Sequence, residues 1–459
     1  MNTYYLYLYD GVNQTKTLKI LKEKHSQIFK DKNLIIFITS ERGQKNKEIR
    51  RKNISDKFKP LNIFYIEEFI KEHCTPKFET EVDSKYLNIS NFVLPPFKNN
   101  RLNSSIDSVF NDWFESTDNP IFVIKGTGGI GKTTIAQYLT DNLVKENSNL
   151  YVLFIDSVQI KDSLLKSKKV GNINIYNFYE ALYDTFDSSD EKLSEELFKI
   201  NLDAGNILII IDGLDEVISK ISNFNIQEFI DSINNFSNEL GHAKVIITCR
   251  TYFWNITELH SDNFKVIELE PFNKEQAIEL FNISFKNDKK RVDKAIELAT
   301  EFKYPSSPEE KEYIYHPYVL DIIQTIINNN KENLNLIESD LTSKYLSRQL
   351  KTDFIIHRVC QREKIRVGQI EVDKQIDFFI NFSVNYRGIC RLVDLKSIIE
   401  ESINEKIDFI NYKYAIVELY YNNNLNYLLL DETNGIYQLN KPFNEQKKSI
   451  FASLFNSLI

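Results

Sequence analysis

Eight consecutive residues, Gly126-Thr127-Gly128-Gly129-Ile130-Gly131-Lys132-Thr133, satisfy the spacing GxxxxGK[ST] in full, between an apolar run and a helix-like stretch that begins near Lys132. Glycines at these positions let backbone N–H groups converge on phosphate oxygens with no Cβ in the way, and a helix N-terminus behind them adds positive dipole. The chemistry is that of a nucleoside triphosphate site. Lys132 is expected to reach the β- and γ-phosphates, and the Thr133 hydroxyl to ligate Mg²⁺. A second group of oxygens follows the apolar run Asn206–Ile211, which ends in Asp212-Gly213-Leu214-Asp215-Glu216. A carboxylate at the C-terminal tip of a buried parallel strand faces the crevice in which open α/β sheets bind ligands, so Asp212 is the expected Mg²⁺ partner, directly or through water. Asp215 and Glu216 are placed to orient or deprotonate an attacking water, or else to serve as carboxylates in the first turn of a helix. Lys244-Val245-Ile246-Ile247-Thr248 runs into Cys249-Arg250. An arginine at such a strand tip senses a γ-phosphate by a charge-assisted hydrogen bond, or makes a surface ion pair.

Positioning these groups requires strands that alternate with helices. Ile121–Lys125, Tyr151–Asp156, Asn206–Ile211 and Lys244–Thr248 predict strands, and the stretches between them predict helices, which together imply a parallel sheet flanked by helices. Residues 1–90 show a smaller version of the same order. Tyr4–Tyr9, Leu34–Thr39 and Ile63–Tyr65 read as strands, Leu18, Leu21 and Ile28 share one helical face, and Glu67–His73 reads as a helix. The polar stretch Thr75–Asn91 and the Leu94-Pro95-Pro96 step then break the pattern, because proline removes a donor and turns its predecessor away from helix. Few contacts are expected to cross that step, which makes residues 1–90 a separable unit. Ile106–Phe114 predicts a short helix, and near Pro271 the sheet-like pattern gives way to long helical runs.

The loop GTGGIGKTT, which extends to Thr134, the strand ILIIIDGLDE and the strand VIITCR together resemble the NACHT branch of the STAND signalling ATPases. That resemblance implies ATP or ADP with Mg²⁺ on the loop, Thr134 included, with Asp215, Glu216 and Arg250 as the catalytic and sensing groups. Leu269–Ala277 looks like the start of the family's helical lid, and His316-Pro317-Tyr318-Val319-Leu320 is similar to the segment whose proline packs on adenine, which carries that role to Pro317. Helices around Phe354–Val359 and Ile376–Ile380 and β-like Tyr427–Leu430 and Gly435–Leu439 suggest a winged helix. Asn440 stands where the family usually has a histidine on the β-phosphate of ADP. The implied organisation is an α/β effector or adaptor unit over 1–90, a P-loop nucleotide-binding domain over 91–270, a helical lid over 271–340 and a winged-helix-like domain over 341–459. The implied function is a switch that exchanges ADP for ATP and forms a homo-oligomer when a trigger arrives, such as a phage protein or a partner sensor in bacterial antiviral defence.

Composition limits the alternatives. With 57 Lys+Arg against 65 Asp+Glu the net charge is −8, so nucleic acid would be met only through a local patch and no membrane partner is expected. The apolar runs fall far short of the roughly 18 residues that cross a bilayer, and the first ten residues lack a secretory signal, so a cytoplasmic location is expected. Cys74, Cys249, Cys360 and Cys390 stand apart with no CxxC pair, which indicates neither a zinc site nor a disulfide framework. Two other functions fit the motifs: a constantly cycling AAA+-type ATPase, and an NTPase that regulates a nuclease or TIR-like effector in residues 1–90. Against the nuclease, the one acidic-x-Lys arrangement there, Asp83-Ser84-Lys85, lies in the polar linker. His73 beside Cys74 suits a helix end better than a reactive thiol.

Overall fold

The computed structural model describes residues 3–8, 13–30, 33–39, 46–75, 92–98, 105–146, 150–166, 173–185, 192–221, 224–251, 254, 264–300, 304–305 and 313–329. Beyond these it describes 361, 371–372, 374, 389–391, 397, 428–431 and 436–439. Contacts group the chain into two units: Met1–Asn88, Asn99–Lys125 and Thr133–Ile267 form the first, and Ile89–Lys98, Gly126–Lys132 and Glu268–Ile459 the second.

The first unit opens with β1 (Tyr4–Leu8), α1 (Gln14–Lys24), α2 (Ser26–Lys30), β2 (Leu34–Ile38), α3 (Lys47–Phe58), β3 (Asn62–Tyr65) and α4 (Ile66–His73). The helical face expected through Ile28 is split at His25, whose N–H closes α1 on the Leu21 carbonyl at 2.7 Å. The three strands pair in parallel, with Ile36 opposite both Leu6 and Ile63. Alternation along β2 sends Leu34, Ile36 and Ile38 into a core with Leu18, Ile54 and Tyr65. On the opposite face Phe37 meets Phe64 and Phe69, ring centroids 5.8 and 5.0 Å apart, so α4 packs on that side. His73 ends α4 against the Phe69 ring, a helix-end histidine as expected.

The chain continues through β4 (Phe97–Lys98), α5 (Ile106–Glu115), β5 (Ile121–Gly126), α6 (Lys132–Glu146), β6 (Tyr151–Asp156), α7 (Ser157–Lys166), α8 (Ile175–Tyr183), α9 (Glu195–Asp203), β7 (Ile207–Asp212), α10 (Leu214–Lys220), α11 (Ile226–Asn235), β8 (Lys244–Arg250) and β9 (Phe264–Leu269). Six strands form one sheet in the order β4-β9-β5-β8-β7-β6. β6, β7 and β8 run parallel, and the five apolar residues of β7 and all of β8 are buried, which is why those strands read as unbroken apolar runs rather than alternating ones. The expectation of a parallel sheet is corrected at one edge. β4 is antiparallel to β9, Phe97 opposite Leu269, so the sheet is mixed. The reason lies in the Pro95-Pro96 step: Pro96 has no N–H to give a ladder, but its carbonyl accepts from Glu270 N–H at 2.8 Å, which seats the chain as a short edge strand. Lys244, at the start of β8, is 1% exposed and donates to the carbonyls of Trp113 (2.7 Å), Ser116 and Asn119 (3.2 Å). The buried ammonium thus satisfies oxygens left open at the end of α5.

The end of α4 is fastened to α9. Asn201 is fully buried; its amide donates to the carbonyls of Cys74 (3.2 Å) and Leu197 (2.8 Å), and its oxygen accepts from the Thr75 hydroxyl. Asn206 adds a bond to the Glu67 carbonyl at 3.5 Å.

The second unit holds the loop 126–132, β4, the end of β9, and then α12 (Lys274–Ser284), α13 (Lys289–Thr300), β10 (Tyr304–Pro305), β11 (Tyr313–Ile314), α14 (Pro317–Asn329), β12 (Ile389–Arg391), β13 (Leu428–Asp431) and β14 (Ile436–Leu439). Asn273 and Gln276 cap α12 reciprocally, and the Gln276 amide also donates to the Leu94 carbonyl at 2.9 Å. Ala277, Phe281, Ala295, Ile323 and Ile327 are fully or almost fully buried where the three helices carry their apolar faces. Strands β12 and β13 flank β14, both antiparallel to it. β13 and β14 fall on the expected segments at 427–430 and 435–439; the helices expected at 354–359 and 376–380, and Asn440, lie outside the described residues. No helix among the described residues is long and apolar enough to cross a membrane.

Candidate functional site

The buried strand β5 delivers the chain to Gly126, and α6 starts six residues later at Lys132. Gly126 is a close approach: a Cβ there would lie 2.8 Å from Ile130 Cγ2 and 3.4 Å from Leu269 Cβ. Gly131 has φ +104°, which side chains rarely adopt. Gly128 is buried, Gly129 half-buried and Thr127 exposed, and Ile130 is anchored inward at 1% exposure. The apolar Ile130 thus pins the loop from inside. Lys132 Nζ donates to the carbonyls of Gly126 (3.2 Å) and Thr127 (2.9 Å), so the ammonium rests on the loop it belongs to. Thr134, the third residue of α6, is half-buried.

Within the first unit, the Thr133 hydroxyl lies 2.9 and 2.8 Å from the two carboxylate oxygens of Asp212. Thr248 supports that carboxylate from β8. Its hydroxyl accepts from Gly213 N–H at 2.8 Å and donates to Asp212 Oδ1 at 2.7 Å. This residue was not among the sequence candidates, although it stands two positions before Arg250 and so on the same strand face. Thr133 and Asp212 fit the Mg²⁺ that the motif implies: both are hard oxygen donors, and oxygens about 3 Å apart suit neighbouring positions of an octahedron with bonds of about 2.1 Å. Among the described residues no group of three His, Cys, Asp or Glu could hold a metal ion.

Asp215 and Arg250 are brought together. Arg250 Nε donates to Asp215 Oδ2 at 2.9 Å and its backbone N–H to Oδ1 at 3.2 Å, with side chains only 10% and 4% exposed. Both oxygens of Asp215 are therefore engaged by one residue, a geometry that holds Arg250 at the end of β8. Glu216 sits beside it in the first turn of α10, 8% exposed, with its N–H on the Gly213 carbonyl at 2.9 Å.

In the second unit, Phe272 and Tyr315 exchange backbone hydrogen bonds of 3.0 and 2.8 Å, which carries the chain to His316 and Pro317. Pro317 is the first residue of α14, where its missing N–H costs nothing. His316 precedes it as the capping residue, its carbonyl accepting from Val319 and Leu320. His316 Nε2 lies 3.4 Å from the Thr127 hydroxyl. Burial, and then the Lys132 ammonium, push the imidazole down to about 4, so it is neutral at neutral pH. The segment was singled out for its proline; the histidine that touches the loop was not.

The model of the family described as Nephrocystin 3, N-terminal, matches residues 105–250, from the cap of α5 to the end of β8 and less than half of the chain. No curated protein matches the chain. Among solved structures, a Walker-type ATPase of Pyrococcus abyssi is 14% identical with a TM-score of 0.40, the match covering 77% of this chain and 98% of that one. The Aeropyrum pernix ORC1 protein, solved in complex with DNA, is 11% identical with a TM-score of 0.40, covering 76% and 94%. A chain of the Escherichia coli MS115-1 HORMA:CdnC:Trip13 complex is 14% identical with a TM-score of 0.31, covering 66% and 89%. The chain shows an α/β fold, a mixed sheet flanked by helices, with a loop of GxxxxGK[ST] spacing after β5 and Asp212 at the end of β7.

Proposed function

We propose that this chain binds ATP with Mg²⁺ and hydrolyses it slowly, as an AAA+-type ATPase. The observation that carries the reading is the hydroxyl of Thr133, the last residue of the GxxxxGK[ST] sequence, on the Asp212 carboxylate at 2.8 Å. Lys132 exchanges the carbonyls of Gly126 and Thr127 for phosphate oxygens of the substrate, a stronger charge-assisted contact. Backbone N–H groups from Gly128 to Thr134 line the phosphates. Thr133 and Asp212 would hold Mg²⁺, which when bound would neutralise phosphate charge. Glu216 takes the proton of the attacking water; the water oxygen bonds to the γ-phosphorus as the bond from that phosphorus to the bridging oxygen breaks, leaving ADP and inorganic phosphate. Arg250, held by Asp215, donates to the γ-phosphate, and Pro317 packs on the adenine.

A second reading, the nucleotide switch of the NACHT branch, is favoured by one contact: the residue before Pro317 lies against Thr127. The segment that the resemblance assigns to adenine therefore meets the loop. In that reading ADP is held until a trigger arrives, a homo-oligomer forms, and residues 1–90 are the effector or adaptor.

One set of measurements tests both. Lys132→Ala is expected to remove most binding of a fluorescent ATP analogue, and Glu216→Gln to keep binding while slowing turnover at least tenfold. Unchanged binding in the first variant overturns the ATPase assignment. Stoichiometric ADP copurifying with negligible turnover supports the switch, and steady turnover without a trigger supports the cycling ATPase.

A further inference from the structure

The imidazole of His316 has two nitrogens and an accounted partner for one. Nε2 shares the Thr127 hydroxyl, and in either tautomer Nδ1 keeps one hydrogen-bonding valence for which the described residues supply no partner. The side chain is more than nine-tenths buried, where an unsatisfied polar atom is costly unless a ligand or ordered water completes it. Its place narrows the choice of ligand. Thr127 holds the Lys132 ammonium with its carbonyl and the imidazole with its hydroxyl, so His316 stands one residue away from the cation expected to meet phosphates. The ring is neutral, which suits an uncharged polar group rather than a further phosphate. In a nucleotide the uncharged polar groups next to the phosphates belong to the ribose and the base.

We propose that His316 is a specificity-determining residue whose Nδ1 hydrogen-bonds the nucleoside part of the nucleotide on the loop 126–133. The proposal rests on the nucleotide reading of that loop. It assigns to His316 a contact that bare phosphate chains cannot make, and therefore an affinity difference between nucleotides and polyphosphates.

The test is calorimetric titration of the full chain and two variants, His316→Phe and His316→Gln, with ADP, 2′-deoxy-ADP, purine riboside diphosphate and inorganic tripolyphosphate. His316→Phe keeps a ring of similar shape and deletes both nitrogens. ADP affinity is expected to fall at least tenfold in this variant while tripolyphosphate affinity stays within twofold; His316→Gln, which keeps a donor and an acceptor, is expected to recover part of the loss. If the penalty disappears for 2′-deoxy-ADP the contact is to the ribose, and if it disappears for the purine analogue the contact is to the amino edge of the base. Equal losses for ADP and tripolyphosphate would show that His316 only holds the loop and would overturn the proposal, as would no loss in either. Should His316→Phe fail to fold, His316→Gln carries the same comparison, with a smaller ADP loss expected and equal effects on both ligands again decisive. Failure of the unaltered chain to bind either ADP or tripolyphosphate overturns the nucleotide reading itself, and the proposal with it.

Discussion

A neutral histidine buried beside a lysine ties the stability of the fold to pH. The unfolded chain takes up a proton on His316 near the ordinary value of 6.5, whereas the native chain holds it off until about 4. The unfolded state therefore binds more protons between those values, and stability that is complete above 6.5 is lost as pH falls toward 4. At pH 5 the loss is about 2 kcal/mol, from about 1.4 kcal/mol per unit of pKa difference over the interval already crossed. The denaturant midpoint of the full chain is expected to fall more between pH 7.5 and pH 5 than that of His316→Gln, which has no proton to gain. Parallel pH profiles would show that the imidazole is solvated in the native chain. At the same scale, the Asp215–Arg250 pair divides two neighbouring acids that the sequence left in one class. Asp215 has both oxygens on Arg250, whereas the base proposed above for the attacking water is Glu216, one position on.

Among the elements, β5 and the loop behind it depend on a contact that glycine alone allows. A methyl group on residue 126 would meet Ile130 Cγ2 at 2.8 Å, closer than real contacts permit, so Ile130 or the loop must move. Gly126→Ala is expected to cost about 1 to 3 kcal/mol of stability and to weaken ADP at least tenfold, and Gly126→Ala with Ile130→Ala to regain part of the binding. Thermal unfolding and ADP titration of the two variants read this directly, and an unaffected single variant would mean that the loop closes without that packing. Which parts of the site were legible follows from the same elements. The loop lies within one stretch of chain, and Asp212 and Arg250 each end an apolar run, so spacing alone exposed them. Thr127 and His316 are 189 positions apart, and Thr248 reaches Asp212 across two paired strands, so no local pattern announces either contact. The two residues of β4 are too few to show a period, which is why the antiparallel edge was not expected. β6, β7 and β8, by contrast, bury enough apolar residues in succession to be read as strands from composition.

At the scale of the first unit, residues 1–75 attach at the end of β7 away from Asp212. Asn201 binds Cys74 and Thr75 from α9, and Asn206 binds Glu67 just before β7 begins, whereas Asp212 ends that strand. The same corner is braced by Asp203, whose carboxylate accepts from the N–H groups of Glu239 (3.2 Å), Leu240 (2.9 Å) and Gly241 (3.0 Å) shortly before β8. Separability of the N-terminal residues, expected from the proline step, is thus opposed by side-chain bonds that the linker sequence does not display. Their removal should affect stability and leave nucleotide binding alone, because the bonds lie at the start of the buried strand β7 and Asp212 at its end. Asn201→Leu keeps the volume and deletes every bond of the amide, exposing the carbonyl of Cys74 and the Thr75 hydroxyl to a dry contact; about 2 kcal/mol of stability is expected to go. ADP affinity is expected to stay within twofold, and hydrogen exchange to rise first in α4. If instead Asn201→Leu weakens ADP strongly at unchanged stability, the two ends of β7 are coupled, and residues 1–75 act on the nucleotide through α9 and the strand that follows it.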